Sequence, residues 1–319
     1  MDENMVDVVV IGGGAAGLSA AVTLGRARRE VVVVDAGSPR NAPAEGVHGF
    51  LTRDGISPAE LVAIGRAEAE RYGARIVDGT VTRVANDDGF TVELDDGSTL
   101  RARRLLVATG LVDDLPDVAG LAERWGRDVV HCPYCHGWEV RDQPIGILGT
   151  GPMATHSALL FRQLSDDVVL FQHTAPALSD EQAEQLAARG ITVVEGEVVA
   201  LEVEDDRLTG VRLASGEVVA RRAVAVTPRM VARADLLAAL GLKAADLEMG
   251  GHVMAQHVVA DGAGATEVPG VWVAGNVTDP RAQVVAAAAA GVMAAASVNA
   301  DLIAEDTAVA VAALRAGAR

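Results

Sequence analysis

The chain has 319 residues, of which 50% are hydrophobic and 3% aromatic, and its formal net charge is −17 at pH 7. This length favours two domains, and the apolar content is enough for a sizeable aliphatic core. An acidic surface disfavours nucleic acid and anionic lipid, so neither is expected as a partner. Neither a cleavable leader nor about 20 consecutive apolar, uncharged residues is evident, which predicts a cytoplasmic protein without a membrane partner.

The N-terminal segment predicts a strand, a glycine-rich turn, a helix and a second strand over residues 6–11, 12–17, 18–28 and 31–34. Its turn has the sequence G-x-G-x-x-G. We expect Gly12 to form the tight turn, Gly14 to let a pyrophosphate approach the backbone, and Gly17 to let helix and strand pack closely. Asp35, at the end of the second strand, can accept hydrogen bonds from a ribose. Together these features predict a dinucleotide-binding βαβ unit.

The same pattern recurs in the middle of the chain. A predicted strand over residues 144–148 precedes Gly149, Gly151 and Ala154 in the spacing G-x-G-x-x-A, and a helix and the strand 168–171 follow. The next residues are Gln172-His173-Thr174, where an NAD site has a carboxylate and an NADP site has arginines. Two interpretations stay open, a working nicotinamide-nucleotide site and a retained scaffold.

Alternating strands separated by turn residues follow each βαβ unit. In the first half they are predicted over residues 75–84, 90–94 and 99–107, and in the second over 191–203, 208–213 and 218–226. The two halves therefore share one plan, and Ala108-Thr109-Gly110 marks the point where the chain leaves the first domain.

Two cysteines lie just before the second βαβ unit in the sequence His131-Cys132-Pro133-Tyr134-Cys135-His136. Four interpretations compete: c-type haem attachment, a zinc site, buried structural cysteines, and a redox-active dithiol. Haem attachment requires export, and structural zinc rarely takes four ligands from six consecutive residues. A C-x-x-C pair at a helix start favours redox chemistry, because the helix N-terminus stabilises a thiolate and His136 can take and return a proton. A flavin is the natural electron partner, and no metal is expected.

The C-terminal part contains a turn, a short apolar strand and Gly275-Asn276. Asn276 can hydrogen-bond a ribityl hydroxyl. A long alanine-rich helix is predicted to begin near residues 281–283, with its N-terminus directed at the pyrimidine edge of a flavin. The alternative is a purely structural helix, in which case Gln283 is incidental.

These motifs, in this order and spacing, resemble the low-molecular-weight thioredoxin reductases over nearly the whole chain. The resemblance implies an α/β fold of two Rossmann-like, three-layer ββα domains, the second inserted into the first. It implies an FAD domain over residues 1–115 and 245–319, an NAD(P)-binding-like domain over 116–244 that carries the cysteines, and a homodimer. Cys135 would face the flavin and Cys132 would exchange with the substrate. Further FAD contacts are expected at Ala15, Ala16, Arg40, Asn41, His48, Val81, Thr109, Gly110, Gly275 and Val284.

The sequence departs from the reductases at three places. His136 and Asn276 stand where that family usually has aspartate, and Gln172-His173-Thr174 stands where it has an arginine cluster for NADPH. The form C-x-x-C-H-G is more similar to dithiol oxidases of the gliotoxin and holomycin type, which close a disulfide in a small molecule and pass the electrons to oxygen, giving hydrogen peroxide. We therefore expect such an oxidase. The alternatives are an NADPH-dependent reductase of a thioredoxin-like protein and a non-enzymatic flavin redox sensor.

Overall fold

A computed structural model describes residues 5–317. The first part of the chain forms β1 (Met5–Ile11), α1 (Ala15–Arg26), β2 (Val31–Asp35), α2 (Pro58–Arg71), β3 (Arg75–Asp78), β4 (Val81–Asn86), β5 (Phe90–Leu94) and β6 (Thr99–Val107). Strands β3, β2, β1 and β6 are parallel neighbours in that order, and β5 and β4 continue from β6 as an antiparallel meander. The predicted βαβ unit therefore lies at the centre of the first domain.

The middle of the chain forms β7 (Leu111–Asp114), β8 (Val129–Val130), α3 (Pro133–His136), β9 (Ile145–Leu148), α4 (Ala154–Phe161), β10 (Val168–Phe171), α5 (Asp180–Ala188), β11 (Thr192–Val194), β12 (Val198–Glu204), β13 (Arg207–Leu213), β14 (Val218–Ala220) and β15 (Ala223–Val226). A parallel sheet has the order β11-β10-β9-β15-β8, and β12, β13 and β14 form a separate antiparallel sheet. This is the same plan as in the first domain.

The chain then returns to the first domain through β16 (Arg229–Ala232), β17 (Ala244–Met249), β18 (His252–Val258), β19 (Val271–Val273) and α6 (Val284–Gly317). Strand β19 joins the first sheet beside β6, and β8 joins the second sheet beside β15. The segment with the two cysteines, residues 131–139, follows β8 and is called the cysteine segment below. It and the Gly275-Asn276 segment after β19 therefore begin at equivalent positions of the two sheets.

The core of the first domain has three layers because β1 alternates its side chains between two faces. Val8 and Val10 pack against the helical layer of α1 and α6, whereas Val9 and Ile11 pack against the β-meander. The predicted ββα architecture is confirmed.

The C-terminal part of the first domain begins earlier in the chain than the sequence predicted. Ala232, Ala234, Leu237 and Leu242 belong to the same hydrophobic cluster as β1 and the meander. Moreover, β16 pairs with β7 in antiparallel register, so that the two connections between the domains form one ribbon. We therefore propose a boundary near residue 228 in place of the predicted 245.

Helix α6 is longer than the apolar run that predicted it. Among the described residues it is the one helix long and apolar enough to cross a membrane, by length and composition alone. Its N-terminal half packs against α1 so closely that a Cβ on Gly291 would lie 2.0 Å from the carbonyl oxygen of Ala16. A core helix meets the same length and composition criteria, and the cytoplasmic location stays a prediction.

Candidate active site

The first glycine motif shapes the turn between β1 and α1. Gly12 has a φ of +108°, and a Cβ there would lie 2.4 Å from the carbonyl oxygen of Ala108. A Cβ on Gly17 would lie 1.8 Å from the carbonyl oxygen of Gly12, so side chains are excluded at both positions. A Cβ on Gly14, in contrast, would meet nothing within 4 Å, which leaves the backbone before α1 open to a ligand. An open backbone at a helix N-terminus suits a pyrophosphate.

Asp35 lies at the end of β2, beside this turn. Its Oδ1 accepts a hydrogen bond from the backbone N–H of Gly13 at 3.2 Å, and its Oδ2 lies 3.5 Å from Nη1 of Arg66. The side chain is thus fixed next to the glycine loop, where a ribose follows a bound pyrophosphate.

A single cavity of about 1940 Å³ joins the glycine loop to the cysteine segment. The expected cofactor contacts that line it are Gly12, Gly14, Ala15, Ala16, Asp35, Arg40, Asn41, His48, Val81, Thr109, Gly110, Gly275, Asn276, Gln283 and Val284. Gly17 lies beneath the loop in the helix–strand contact instead. Cys132, Cys135 and His136 line the same cavity. Its volume exceeds the roughly 300–1,000 Å³ of a drug-sized pocket, so there is room for a ligand larger than a drug-sized molecule.

The two cysteines are free thiols at the start of the short helix α3. Cys132 is the N-cap residue and Pro133 fills the first helical position, where a backbone N–H has no partner in any case. The hydrogen bond from the Cys135 thiol, assisted by the backbone N–H groups of Tyr134 and Cys135, lowers the pKa of Cys132 from 9.0 to about 7. The same bond raises the pKa of Cys135, and its burial adds to that rise. Cys132 is therefore the more acidic thiol of the pair, and its role as the nucleophile stays a prediction.

His136 follows directly and carries a buried nitrogen. Its Nε2 is shielded from solvent and has no hydrogen-bond partner among residues 5–317. Burial lowers the pKa of His136, although the nearby carboxylates of Glu139 and Glu45 oppose that effect. The ring is consequently neutral at neutral pH, with a buried nitrogen whose hydrogen-bonding capacity the described residues leave unused.

A loop of the first domain, residues 36–55, lies against the cysteine segment. Arg40 binds Asp113 of β7 through two hydrogen bonds of 2.6 and 2.8 Å. His48 Nε2 lies 3.4 Å from Oε1 of Glu139, three residues after His136. On its other side, His48 Nδ1 lies 3.5 Å from Oδ1 of Asp54. The loop therefore contacts the cysteine segment through His48 and Glu139, and β7 through Arg40 and Asp113.

Asn276 organises the segment that leads into α6. Its Nδ2 donates to the carbonyl oxygens of Asp279 and Ala282, at 3.0 and 2.9 Å. Its Oδ1 lies 3.4 Å from Nη1 of Arg40. The amide is thus tied to its own loop, and a ribityl contact stays a prediction for this residue.

The second glycine motif is partly covered by the first domain. A Cβ on Gly149 would lie 2.7 Å from the carbonyl oxygen of Phe171, so this glycine serves packing. The hairpin of β17 and β18 lies over the rest of the loop, with Met254 Sδ 3.8 Å from the Cβ position of Gly151. The cavity that remains has a volume of about 330 Å³ and is lined by Gly151 and Ala154 among others. This is at the lower limit of small-ligand pockets.

The residues after β10 form hydrogen bonds with backbone groups of the second domain. Gln172 Nε2 donates to the carbonyl oxygen of Pro176 at 2.6 Å, and the backbone N–H of Val198 donates to His173 Nδ1 at 3.1 Å. Both side chains therefore hold the second domain together at the place where an NADPH site has arginines.

Sequence reasoning missed the partners that reach the site from far along the chain. Asp113 holds Arg40 from 73 residues away, and Glu139 holds His48. Because Glu139 lies three residues after His136, the sequence could have indicated that it belongs to the site. No pattern in the sequence pairs Asp113 with Arg40. Among the described residues, no cluster of three or more His, Cys, Asp or Glu side chains could hold a metal ion.

Two dinucleotide-type domains that enclose a cysteine pair define a disulfide oxidoreductase of the flavoprotein class. Consistent with this, residues 6–291 match the family model described as pyridine nucleotide-disulphide oxidoreductase. The chain belongs to this family. The predicted family, fold class and enzyme class, an oxidoreductase acting on sulfur groups, are thereby confirmed, and family membership implies FAD as the cofactor.

Individual relatives extend the comparison. Thioredoxin reductase sirT of Leptosphaeria maculans is 31% identical over 323 residues, covering 96% of this chain and 97% of sirT. The crystal structure of HlmI has a TM-score of 0.91 and 51% identity, covering 100% of this chain and 99% of HlmI. A probable thioredoxin reductase of Arthroderma benhamiae is 38% identical over 177 residues, which is 53% of this chain and 44% of that protein. The match thus spans about half the length of the Arthroderma protein, whereas the match to sirT spans nearly all of it.

Proposed function

We propose that the chain is a flavin-dependent dithiol oxidase that converts a small-molecule dithiol into its disulfide. The observation that carries this proposal is the second glycine motif. Its loop is partly covered by Met254, and Gln172 and His173 bond to backbone groups of the second domain where an NADPH site has arginines. The electrons therefore enter as a dithiol at the cysteine pair, with oxygen as their acceptor. The resemblance to HlmI over the whole chain supports this assignment.

The reaction proceeds by thiol–disulfide exchange at the oxidised Cys132–Cys135 pair. A substrate thiolate attacks Sγ of Cys132, and the bond between the two cysteines breaks with Cys135 as the leaving group. The second substrate thiol gives its proton to the imidazole of His136 and attacks the mixed disulfide. This releases the product disulfide and the Cys132 thiolate, whose pKa of about 7 makes it a good leaving group.

When bound, FAD supplies the two-electron acceptor that restores the cysteine disulfide and the route by which both electrons reach oxygen. The two protons of the substrate dithiol leave with the electrons as hydrogen peroxide, so the sum is dithiol plus oxygen to disulfide plus peroxide. The open backbone at Gly14, the ribose-side carboxylate of Asp35 and the joined cavity are the features of the chain that fit FAD.

An anaerobic reduction of the flavin tests this proposal. The holoenzyme is mixed with dithiothreitol in one experiment and with micromolar NADPH in another, and the loss of flavin absorbance near 450 nm is followed. We expect rapid bleaching by the dithiol alone, and one hydrogen peroxide per disulfide when air is admitted. The Cys132→Ser variant is the control and should bleach with neither. Rapid bleaching by micromolar NADPH would overturn the oxidase assignment.

A second candidate is an NADPH-dependent reductase of a thioredoxin-like protein. The G-x-G-x-x-A spacing of Gly149, Gly151 and Ala154 favours it, as do relatives that carry the name thioredoxin reductase. This candidate requires the hairpin of β17 and β18 to leave the loop. Reduction of a thioredoxin by NADPH through this protein at a useful rate would support it.

We further propose that the protein is a homodimer. Apolar side chains stay exposed along α6, at Val285, Val292, Met293, Ile303, Val309 and Leu314. An apolar surface on one helix is a usual interface between copies. Light scattering coupled to size exclusion measures the mass directly, and a 32.8 kDa species would contradict the proposal.

A further inference from the structure

His48 lies between two carboxylates that come from different parts of the chain. Its Nε2 is 3.4 Å from Oε1 of Glu139 in the cysteine segment, and its Nδ1 is 3.5 Å from Oδ1 of Asp54 in its own loop. A neutral imidazole has one N–H and one lone-pair nitrogen, whereas the charged ring donates from both nitrogens. Two flanking carboxylates therefore match the charged ring, because a lone pair that faces a carboxylate oxygen is repelled.

The loop that carries His48 is fixed on the Asp54 side of the ring. The backbone N–H of Val47 donates to the carbonyl oxygen of Ile56 at 2.8 Å, which closes the loop on itself. Within it, the backbone N–H of Gly49 donates to Oδ1 of Asp54 at 2.9 Å. This bond is the main cause of the lowered pKa of Asp54. The Asp54 carboxylate is thus ionised and held in place at neutral pH, and the contact with Glu139 is the one that joins two separate segments.

The contact of His48 with Glu139 is partly shielded from water. The exposed fractions of the two side chains are 27% and 38%. Salt screens such a pair less than it screens a pair on the open surface, yet the attraction is still modest. The ion pair therefore biases the cysteine segment toward the loop and does not lock it there.

The same charges act on His136, whose ring the reaction uses. Burial is the main cause of its lowered pKa; Glu139 and Glu45 favour the protonated ring, and His48 disfavours it. A positive charge on His48 thus offsets the effect of its own partner Glu139. The charged side chains around the two rings are Asp54 and Glu45 from the loop and Glu139 from the cysteine segment, and the neutral Gln283 lies near Gly49 at the start of α6.

We propose that His48 is a positioning residue whose positive charge holds Glu139 against the loop of the first domain and keeps His136 in its neutral form. This inference rests on the proposed function, since that reaction needs a neutral His136 to take the proton of the second substrate thiol. An imidazole gains or loses its charge near neutral pH. The contact between the loop and the cysteine segment should therefore be strongest on the acid side of neutrality and weaken as the pH rises.

Titration of His136 by NMR tests the effect of charge without turnover. The holoenzyme is labelled with carbon-13 at the histidine Cε1 atoms, and the His136 signal is assigned by its loss in His136→Gln. In His48→Gln the charge of Glu139 is unopposed, so the pKa of His136 should rise. In Glu139→Gln the carboxylate is gone, so the pKa of His136 should fall. A merely structural loosening would expose the ring to water and raise its pKa in both variants.

Two further variants complete the titration. His48→Lys keeps a positive charge and should hold the pKa of His136 near its wild-type value. His252→Gln is the matched control, because His252 is exposed at the start of β18 and is not among the groups that act on His136. An unchanged pKa of His136 in His48→Gln, or a raised one in Glu139→Gln, would overturn the proposal. Flavin absorbance verifies that each variant is measured as the holoenzyme.

Hydrogen exchange tests the contact itself. Peptides that cover residues 47–56 and 133–139 are followed in the wild type, His48→Gln, Glu139→Gln and the double variant. At pH 6 each single variant should exchange about 1.5- to 5-fold faster than the wild type, the range for one partly exposed ion pair. The double variant should exchange no faster than either single variant. At pH 8.5 the ratio for His48→Gln should approach one, and an equal ratio at both pH values would contradict the role of the charged ring.

These measurements separate this inference from the proposed function, because neither needs a dithiol. Absence of dithiol-dependent peroxide in the wild type defeats the oxidase and leaves the titration and exchange results standing. Conversely, an active oxidase in which His136 titrates alike in His48→Gln and His252→Gln defeats the role of His48 alone.

Discussion

Removal of the Cys135 thiol should raise the pKa of Cys132, because the hydrogen bond from that thiol is the main cause of its low value. The Cys135→Ala variant loses the donor, and Cys135→Ser keeps a hydroxyl donor as the matched control. The largest possible effect would bring the pKa of Cys132 back from about 7 to its ordinary value of 9.0. The backbone N–H groups of Tyr134 and residue 135 remain, so we expect a rise of one unit or more in the alanine variant and a smaller one in the serine variant.

The size of the pKa change at Cys132 decides which quantity should be measured. At the limit of a full return, the thiolate fraction at pH 7 would fall from about one half to about 1%, roughly 50-fold. A thiolate of higher pKa is more nucleophilic, however, and with a Brønsted slope of about 0.45 a two-unit rise speeds alkylation about eightfold. The alkylation rate at pH 7 would therefore fall only about sixfold. The midpoint of the pH dependence of the alkylation rate, in contrast, moves by the full change in the pKa of Cys132.

The assay is iodoacetamide labelling of the phosphine-reduced protein between about pH 5.5 and 10, with Cys132 followed by peptide mass. We expect a wild-type midpoint near 7, a clearly higher one in Cys135→Ala, and an intermediate one in Cys135→Ser. A lowered pKa means that thiolate reactivity is retained down to the midpoint and lost below it. An unchanged midpoint in Cys135→Ala, or a wild-type midpoint near 9, would refute the role given to Cys135.

Three further predictions concern packing, the loop beneath the cysteines, and proton transfer. Gly291→Ala should lower the free energy of unfolding, measured by chemical denaturation, by about 1–3 kcal/mol, because its Cβ would lie 2.0 Å from a backbone oxygen of α1. Gly317→Ala is the control and should leave the free energy of unfolding unchanged, because its Cβ meets nothing within 4 Å. Arg40→Met should lower Tm by several degrees, because it leaves the carboxylate of Asp113, whose side chain is only 7% exposed, without its partner; an unchanged melting curve would contradict the pairing. His136→Ala should slow dithiol-driven flavin bleaching about 10²- to 10⁴-fold in anaerobic stopped flow, and wild-type bleaching should not decline between pH 8 and 7 through protonation of this residue, because its pKa is lowered.

Much of the fold could be read from the sequence because its strands are strongly apolar. The valines of β1 and β2 and the glycines between them predicted the first βαβ unit. The predicted helix began three residues too late and ended two residues too late. Three predicted strands, over residues 75–84, 191–203 and 218–226, were wrong in being continuous. Gly196, with a φ of +103°, interrupts the second of these, and short turns divide the other two. Hydrophobic periodicity does not reveal such breaks, since the apolar pattern continues across them.

The site was harder to predict than the fold. Local motifs indicated the glycine loop and the cysteine pair, because their chemistry depends on neighbours in sequence. The contacts of Arg40 with Asp113 and of His48 with Glu139 depend on how two domains pack, which no local pattern encodes. The exposure of Trp138 likewise follows from tertiary structure, since an indole after a helix start is equally compatible with a core position.

Strands β8 and β19 hold equivalent places in the two sheets, yet different chemistry follows them. After β19 the chain offers a surface that receives a separate molecule, whereas after β8 it supplies two sulfur atoms of its own. The second half of the protein thus has its electron carrier built into the polypeptide. Such a carrier needs no binding equilibrium and cannot be depleted from its site, so of the two redox centres only the flavin depends on occupancy.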